Sequence, residues 1–164
     1  MERRSIYLDT SIISFYYADD APDLRQATRD FFDDYVRPGI YEVFVSAIVS
    51  NEISRTRDPK RRRKLLKVIE DYELQSLDIA VERADVESLA GLYIKRGIIP
   101  RIKLEDALHI AIATVKNLDV LLSWNYKHLA NMNKEVLVQS VNMRAGYRKP
   151  LRMVTPLEVM YEKD

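Results

Sequence analysis

The 164-residue sequence has no cysteine. That excludes disulfides, thiolate zinc sites and thiol nucleophiles together, and it fits a reducing compartment. Glycine is scarce, with four in the chain. They build no phosphate-cradling loop and no dinucleotide fingerprint. Long apolar runs are missing as well. After Arg3-Arg4 the first apolar stretch breaks at Asp9. It falls short of the roughly 7–15 residues of a secretory core and further short of the about 20 a membrane helix needs. A soluble, cytoplasmic protein with no membrane partner is expected. Charge of one dominant sign is absent too: 26 basic residues face 25 acidic ones, for a net charge of +1. No whole-molecule field draws in nucleic acid, so any such attraction must come from local patches.

What is present is a substantial core. The chain is 47% apolar, enough for one compact domain spanning 1–164. Ile6-Tyr7-Leu8 reads as a short buried strand that runs into Asp9. Residues 41–45, 76–79 and 120–123 read as further strands, and 153–154 as a short edge strand. Helical spacing is predicted for 11–17, from 23 to 36, 46–55, from 59, around Val86, Leu89, Ala90 and Tyr93, then 104–115 and 134–144. Residues 125–131 read as a turn or short helix, and 156–161 as a last helical turn. Thr10 or Ser11 is the expected cap of the first helix. Gly97, behind Lys95 and Arg96, is expected to close the helix before it. Strands alternating with helices imply a parallel sheet covered on both faces.

In such a sheet, strand C-termini and the N-termini of the following helices share one edge, where ligands bind. Four residues open or close elements there: Asp9 after the first strand, Glu52 on the helix after the second, Asp106 in the first turn of an almost wholly apolar helix, and Asn125, with Ser123, after the fourth. Carboxylates crowded together repel, and one takes a raised pKa unless a cation bridges them. Oxygen ligands without cysteine suit a hard ion, Mg2+ or Mn2+, rather than zinc. Such an ion activates water and holds phosphate, so phosphodiester hydrolysis needs no histidine base.

The ordered segments Tyr7-Leu8-Asp9-Thr10-Ser11, Ser46-Ala47-Ile48-Val49-Ser50-Asn51-Glu52-Ile53, Glu105-Asp106-Ala107-Leu108-His109-Ile110-Ala111 and Leu121-Leu122-Ser123-Trp124-Asn125-Tyr126-Lys127-His128-Leu129 together resemble PIN-domain proteins, of the kind typified by the toxins of VapBC toxin–antitoxin pairs. A looser match continues to Gly146-Tyr147 and to Val154–Glu158. The resemblance implies a three-layer α/β/α domain with a central parallel sheet of four or five strands. It implies an Mg2+- or Mn2+-dependent endoribonuclease leaving 5′-phosphate and 3′-hydroxyl ends, RNA as substrate, a small antitoxin as partner, and a homodimer. By position, Asp9, Glu52 and Asp106 resemble the metal-binding acids, and Thr10, Ser11 and Ser123 the supporting hydroxyls. The departure is Asn125, where many relatives carry an acid. It leaves open a weaker or single metal site, with Asn125 coordinating through its carbonyl or orienting a water. It also leaves open a second reading: a PIN-like module that binds RNA or protein without cutting. A phosphotransferase with an aspartyl nucleophile would want an acid two residues past Asp9, where Ser11 stands.

Other residues carry two readings each. Lys60-Arg61-Arg62-Arg63-Lys64 is either a solvated helix face or a contact for RNA phosphates. Arg144, Arg148, Lys149 and Arg152 form a second basic candidate. His109, one turn past Asp106, either lines the pocket or sits bonded in the core. Trp124 either packs or stacks a base. Tyr16 and Tyr17 either shape a substrate groove or bury against a partner, and Glu105 is exposed or supports Asp106.

Overall fold

The computed structural model describes residues 2–161. Its elements are β1 (Ser5–Leu8), α1 (Thr10–Ser14), α2 (Pro22–Phe31), β2 (Glu42–Ser46), α3 (Ala47–Ser54), α4 (Pro59–Asp71), β3 (Gln75–Leu77), α5 (Arg83–Lys95), α6 (Leu104–Val115), β4 (Val120–Leu122), α7 (Met132–Arg144) and β5 (Arg152–Val154). The five strands form one parallel sheet in the order β3-β2-β1-β4-β5.

Alternation along the strands sorts the core into two halves. Ile6, Leu8, Val43, Val45, Val120 and Leu122 face α1, α2 and α4, packing on Ile12, Ile13, Phe31, Phe32, Leu65 and Val68. Tyr7, Leu121 and Met153 face the other way, onto α5, α6 and α7 through Leu89, Tyr93, Ile110, Ala111 and Val138. Successive side chains of a strand point to opposite faces, so a parallel sheet with apolar residues pointing both ways must be covered on both sides. The result is the three-layer α/β/α arrangement, with five strands. Among the described residues no helix is long and apolar enough to cross a membrane.

Several boundaries differ from those read in the sequence. The cap of α1 is Asp9 rather than Thr10 or Ser11. The pattern expected from residue 23 to 36 splits, because α2 widens into a π turn at Phe32–Val36. Phe32 and Tyr35, both on that turn, are buried. Strand β3 begins at Gln75 and ends at Leu77, two residues before the expected end. Helix α7 begins at Met132, where Asn131 caps it by accepting the N–H groups of Asn133 and Lys134. Residues 126–130 form turns. Gly97 does close α5, at φ +72°, the left-handed conformation a helix exit favours.

Strands β1 and β4 pair with Leu8 opposite Leu122. Asp9 and Ser123 therefore leave the sheet side by side. The chain passes from β1 to β2 on one side, while β4 lies on the other. That reversal of strand order opens a crevice at the carboxyl edge, the usual place for a site in an open α/β sheet.

Candidate active site

Asp9 is 4% exposed. Its Oδ1 accepts the Ser11 hydroxyl at 2.6 Å and the Ile12 N–H at 3.4 Å. Its Oδ2 accepts the Ser123 hydroxyl at 2.6 Å. The same two serines accept from the loop after β4: Ser11 Oγ takes the Trp124 N–H at 2.9 Å and Ser123 Oγ the Asn125 N–H at 2.9 Å. The two hydroxyls lace the start of α1 to the end of β4, with Asp9 between them.

Asn125 connects this cluster to α6. Its Nδ2 donates to Asp106 Oδ2 at 3.4 Å. Its Oδ1 accepts the N–H groups of Lys127 and His128, each at 3.1 Å. Two backbone donors fix the orientation of the amide and occupy the carbonyl oxygen. Asn125 is thus a loop clamp and a donor to Asp106. An aspartate at this position would have no proton to donate there.

Glu52 reaches the cluster from α3. Its Oε1 lies 2.6 Å from His109 Nε2. The other ring nitrogen, Nδ1, lies 2.7 Å from Tyr7 Oη, which is 2.7 Å from Ser46 Oγ. Ser46 caps α3 by accepting the Ile48 N–H at 3.2 Å. Of the two readings of His109, the structure selects the bonded core residue, 1% exposed, with the addition that its partner is one of the acids. The only sequence signal for this was its position one turn past Asp106.

The electrostatics follow the burial. Desolvation raises the Asp9 pKa and the nearby Asp106 adds to the rise, while His109 and the Ser11 and Ser123 hydroxyls pull the other way without cancelling it. Desolvation also raises Asp106, with Glu52 and Glu105 pushing the same way against His109 and Lys103. Burial pushes Glu52 up, but the hydrogen bond and charge of His109 outweigh it and leave that carboxyl below its ordinary range. Burial alone would lower His109; the bond and charge of Glu52, with Asp9 and Asp106, raise it instead.

These residues suit a hydrated hard cation better than a caged one. Among the described residues no three His, Cys, Asp or Glu side chains are assembled as a ready-made metal cage. Mg2+ commonly keeps several waters and binds through one or two carboxylates plus phosphate oxygens. Asp9 and Asp106, both raised in pKa and oxygen-only, fit that mode. The buried hydroxyl of Thr10, which follows Asp9 directly, lies beside Glu52 and favours that acid's charged form.

Other candidates fall nearer or farther. Lys60–Lys64 occupy the first turns of α4, and all but the half-buried Arg62 are exposed. Arg62 donates to the Thr56 carbonyl at 3.0 Å, and Lys64 Nζ sits 5.5 Å from the Tyr17 ring centre. Helix α4 leads down to the start of β3, so its basic end lies toward the acids' edge. The second basic group lies at the opposite edge, beside the strand starts. There Lys149 pairs with Asp119 at 3.0 Å and Arg152 with Glu135 at 3.1 Å. Trp124 packs rather than presenting a face: it is 4% exposed and its Nε1 donates to Thr28 Oγ1 at 2.9 Å. Tyr16 stacks edge-on with Phe32 and Tyr72 and hydrogen-bonds the Tyr72 hydroxyl at 2.8 Å. Glu105 ion-pairs with Arg55.

The family model of the PIN domain matches residues 6–134 of the chain. No curated protein sequence matches it. Among solved structures, the chain is similar to one described as VapBC2 from Rickettsia felis bound to a DNA fragment from their promoter. The likeness has a TM-score of 0.51 at 16% identity, covering 75% of this chain and 89% of that one.

Proposed function

The chain belongs to the PIN-domain family, whose members are typically nucleases that use divalent metals, and on that premise we propose that it is a divalent-metal-dependent endoribonuclease, the toxin of a toxin–antitoxin pair. One observation carries the reading: Asp9 and Asp106, both partly or wholly buried and both raised in pKa, meet through the Ser123–Asn125 link at the crevice between β1 and β4. A structural acid is normally stabilised in its charged form; these two are held against their ionisation. That arrangement makes sense where a positive charge is to be received.

Asp9 and Asp106 would hold Mg2+ or Mn2+, with Glu52 as a third ligand. Such an ion supplies positive charge beside the scissile phosphate and a more acidic water. The chain's own groups do the rest. Ser11 and Ser123 keep Asp9 fixed. Asn125 keeps Asp106 turned toward the crevice. Asp106, the more open acid, would accept the proton of the attacking water as the P–O3′ bond breaks in line, and a solvent water would protonate the departing 3′-oxygen, leaving a 5′-phosphate and a 3′-hydroxyl. Lys60, Arg61 and Arg63 contact the RNA backbone. The likeness to a chain of a toxin–antitoxin complex supports a small cognate antitoxin that covers the acids. The same reading includes a cytoplasmic homodimer.

The test is cleavage of a mixed-sequence RNA by the purified protein, with Mn2+ and with excess EDTA. Cleavage that needs the metal and disappears in Asp9→Asn supports the proposal; cleavage persisting in either case overturns it. The occupied Asn125 carbonyl and the lack of a preassembled cage among the described residues favour a second reading, a module that binds without cutting. Mn2+ titration separates the two, because such a module shows no heat that depends on Asp106.

A further inference from the structure

We propose that Tyr7 and His109 are positioning residues: they complete a buried hydrogen-bonded strut, Ser46–Tyr7–His109–Glu52, that holds the Glu52 carboxylate at the acid cluster and thereby sets how tightly the site holds a divalent cation. The inference rests on the metal-dependent reading above and adds residues that this reading leaves without a role.

The starting point is Glu52. It is a long side chain on an eight-residue helix, and such a side chain keeps its rotamer freedom in solvent unless something holds it. Here His109 Nε2 holds Oε1 at 2.6 Å. His109 is itself anchored by Tyr7 at 2.7 Å, and Tyr7 by Ser46 at 2.7 Å. Tyr7 and Ser46 are fully buried and His109 is 1% exposed. The strut therefore leaves α3 at its cap, passes through β1 and α6, and returns to α3 six residues later. Tyr7 lies two residues before Asp9 and His109 three after Asp106, so the strut runs directly beneath both acids and ties α3 to them.

Ser46 Oγ accepts the Ile48 N–H, and the Ser46–Tyr7 and Tyr7–His109 contacts accommodate donation in either direction. Glu52 is favoured in its charged form, so His109 Nε2–H donates to it. Every buried polar side-chain atom of the strut has a partner. Partners that orient a ligating carboxylate typically matter by about 10–100-fold in metal affinity.

The experiment is titration calorimetry of the intact protein with Mn2+ alone, no RNA, alongside thermal melting. His109→Asn keeps an amide at the Nδ1 position, toward Tyr7, and removes the Nε2 donor to Glu52, leaving Thr10 as its remaining side-chain donor. His109→Gln reaches the Nε2 position and restores a donor to Glu52. His109→Asn should weaken Mn2+ binding about 10–100-fold, and His109→Gln should recover most of it. Tyr7→Phe, which deletes one hydroxyl, should lie between. In cleavage assays the Mn2+ requirement should rise while the KM for RNA holds. His109→Asn binding Mn2+ like wild type overturns the strut, as does equal loss in both amide variants tracking their melting temperatures. If His109→Asn does not fold, Tyr7→Phe decides on its own. Wild-type protein that shows no Asp106-dependent Mn2+ binding removes the metal reading and the strut together. Wild-type binding with unaffected variants removes the strut alone.

Discussion

Replacing Asp106 with asparagine should make the metal-free protein more stable and the metal-loaded protein relatively less so. The Asp106 pKa is raised by burial and by Glu52 and Glu105, so its charged form is disfavoured in the folded chain. With a raised folded pKa, that penalty is complete above the folded value. It fades as pH falls through that value and is gone below the ordinary aspartate pKa of about 4. A neutral amide in its place would carry no such penalty, and the one hydrogen bond at stake, from Asn125 at 3.4 Å, is long. Asp106 is only partly buried and water screens the repulsion, so the gain at neutral pH should lie in the range of screened charge interactions, about 0.2–1 kcal/mol. For a chain of this size that is up to about 4 °C in Tm. Mn2+ at a hundred times its Kd should stabilise wild type by about 2.7 kcal/mol, roughly 5–11 °C, and leave the variant nearly unmoved. The melting order should cross between EDTA and Mn2+. Scanning fluorimetry from pH 4 to 8 reads all of this. A variant that melts well below wild type in EDTA, or a Mn2+ shift equal in both proteins, refutes the reasoning.

Asp9→Asn should behave differently from Asp106→Asn in EDTA. It disturbs three hydrogen bonds, one of them the α1 cap, so Tm should fall by the equivalent of about 1 kcal/mol, while cleavage drops on the order of 100–1,000-fold, read by single-turnover assays. Alanine at Lys60, Arg61 and Arg63 together should weaken RNA binding, and the salt slope of log K should flatten by about one for each phosphate no longer neutralised; an unchanged slope in fluorescence anisotropy removes these residues from the interface. Trp124→Phe loses its bond to Thr28 inside the core and should cost about 1–2 kcal/mol; because Trp124 is buried away from substrate, kcat should stay at the wild-type value.

The architecture was legible where local rules govern. The apolar triplet Ile6-Tyr7-Leu8, the exit of α5 at Gly97 and the strand–helix alternation led to a covered parallel sheet because periodicity and turn chemistry act over a few residues. Where distant partners decide, the same rules fell short. The π turn at Phe32–Val36 leaves no mark in the apolar spacing, because Phe32 and Tyr35 would share one face of an α-helix as well. The doubly bonded Asn125 carbonyl depends on how its loop folds back. That Arg152 would stand at the start of a strand, beside Val120, and not with the acids, depends on the order of strands in the sheet.

Sequence alone determined which residues are apolar and at what spacing, hence the elements, their parallel pairing and the edge on which Asp9, Glu52, Asp106 and Asn125 would emerge. Only the tertiary structure decided what those groups touch. Tyr7, Ser46, Glu52 and His109 are up to 102 positions apart, and no local pattern encodes a 2.6 Å hydrogen bond such as that between Glu52 and His109. Strand register and the packing of α6 against α3 bring them together, because buried polar atoms must find partners wherever the fold delivers them.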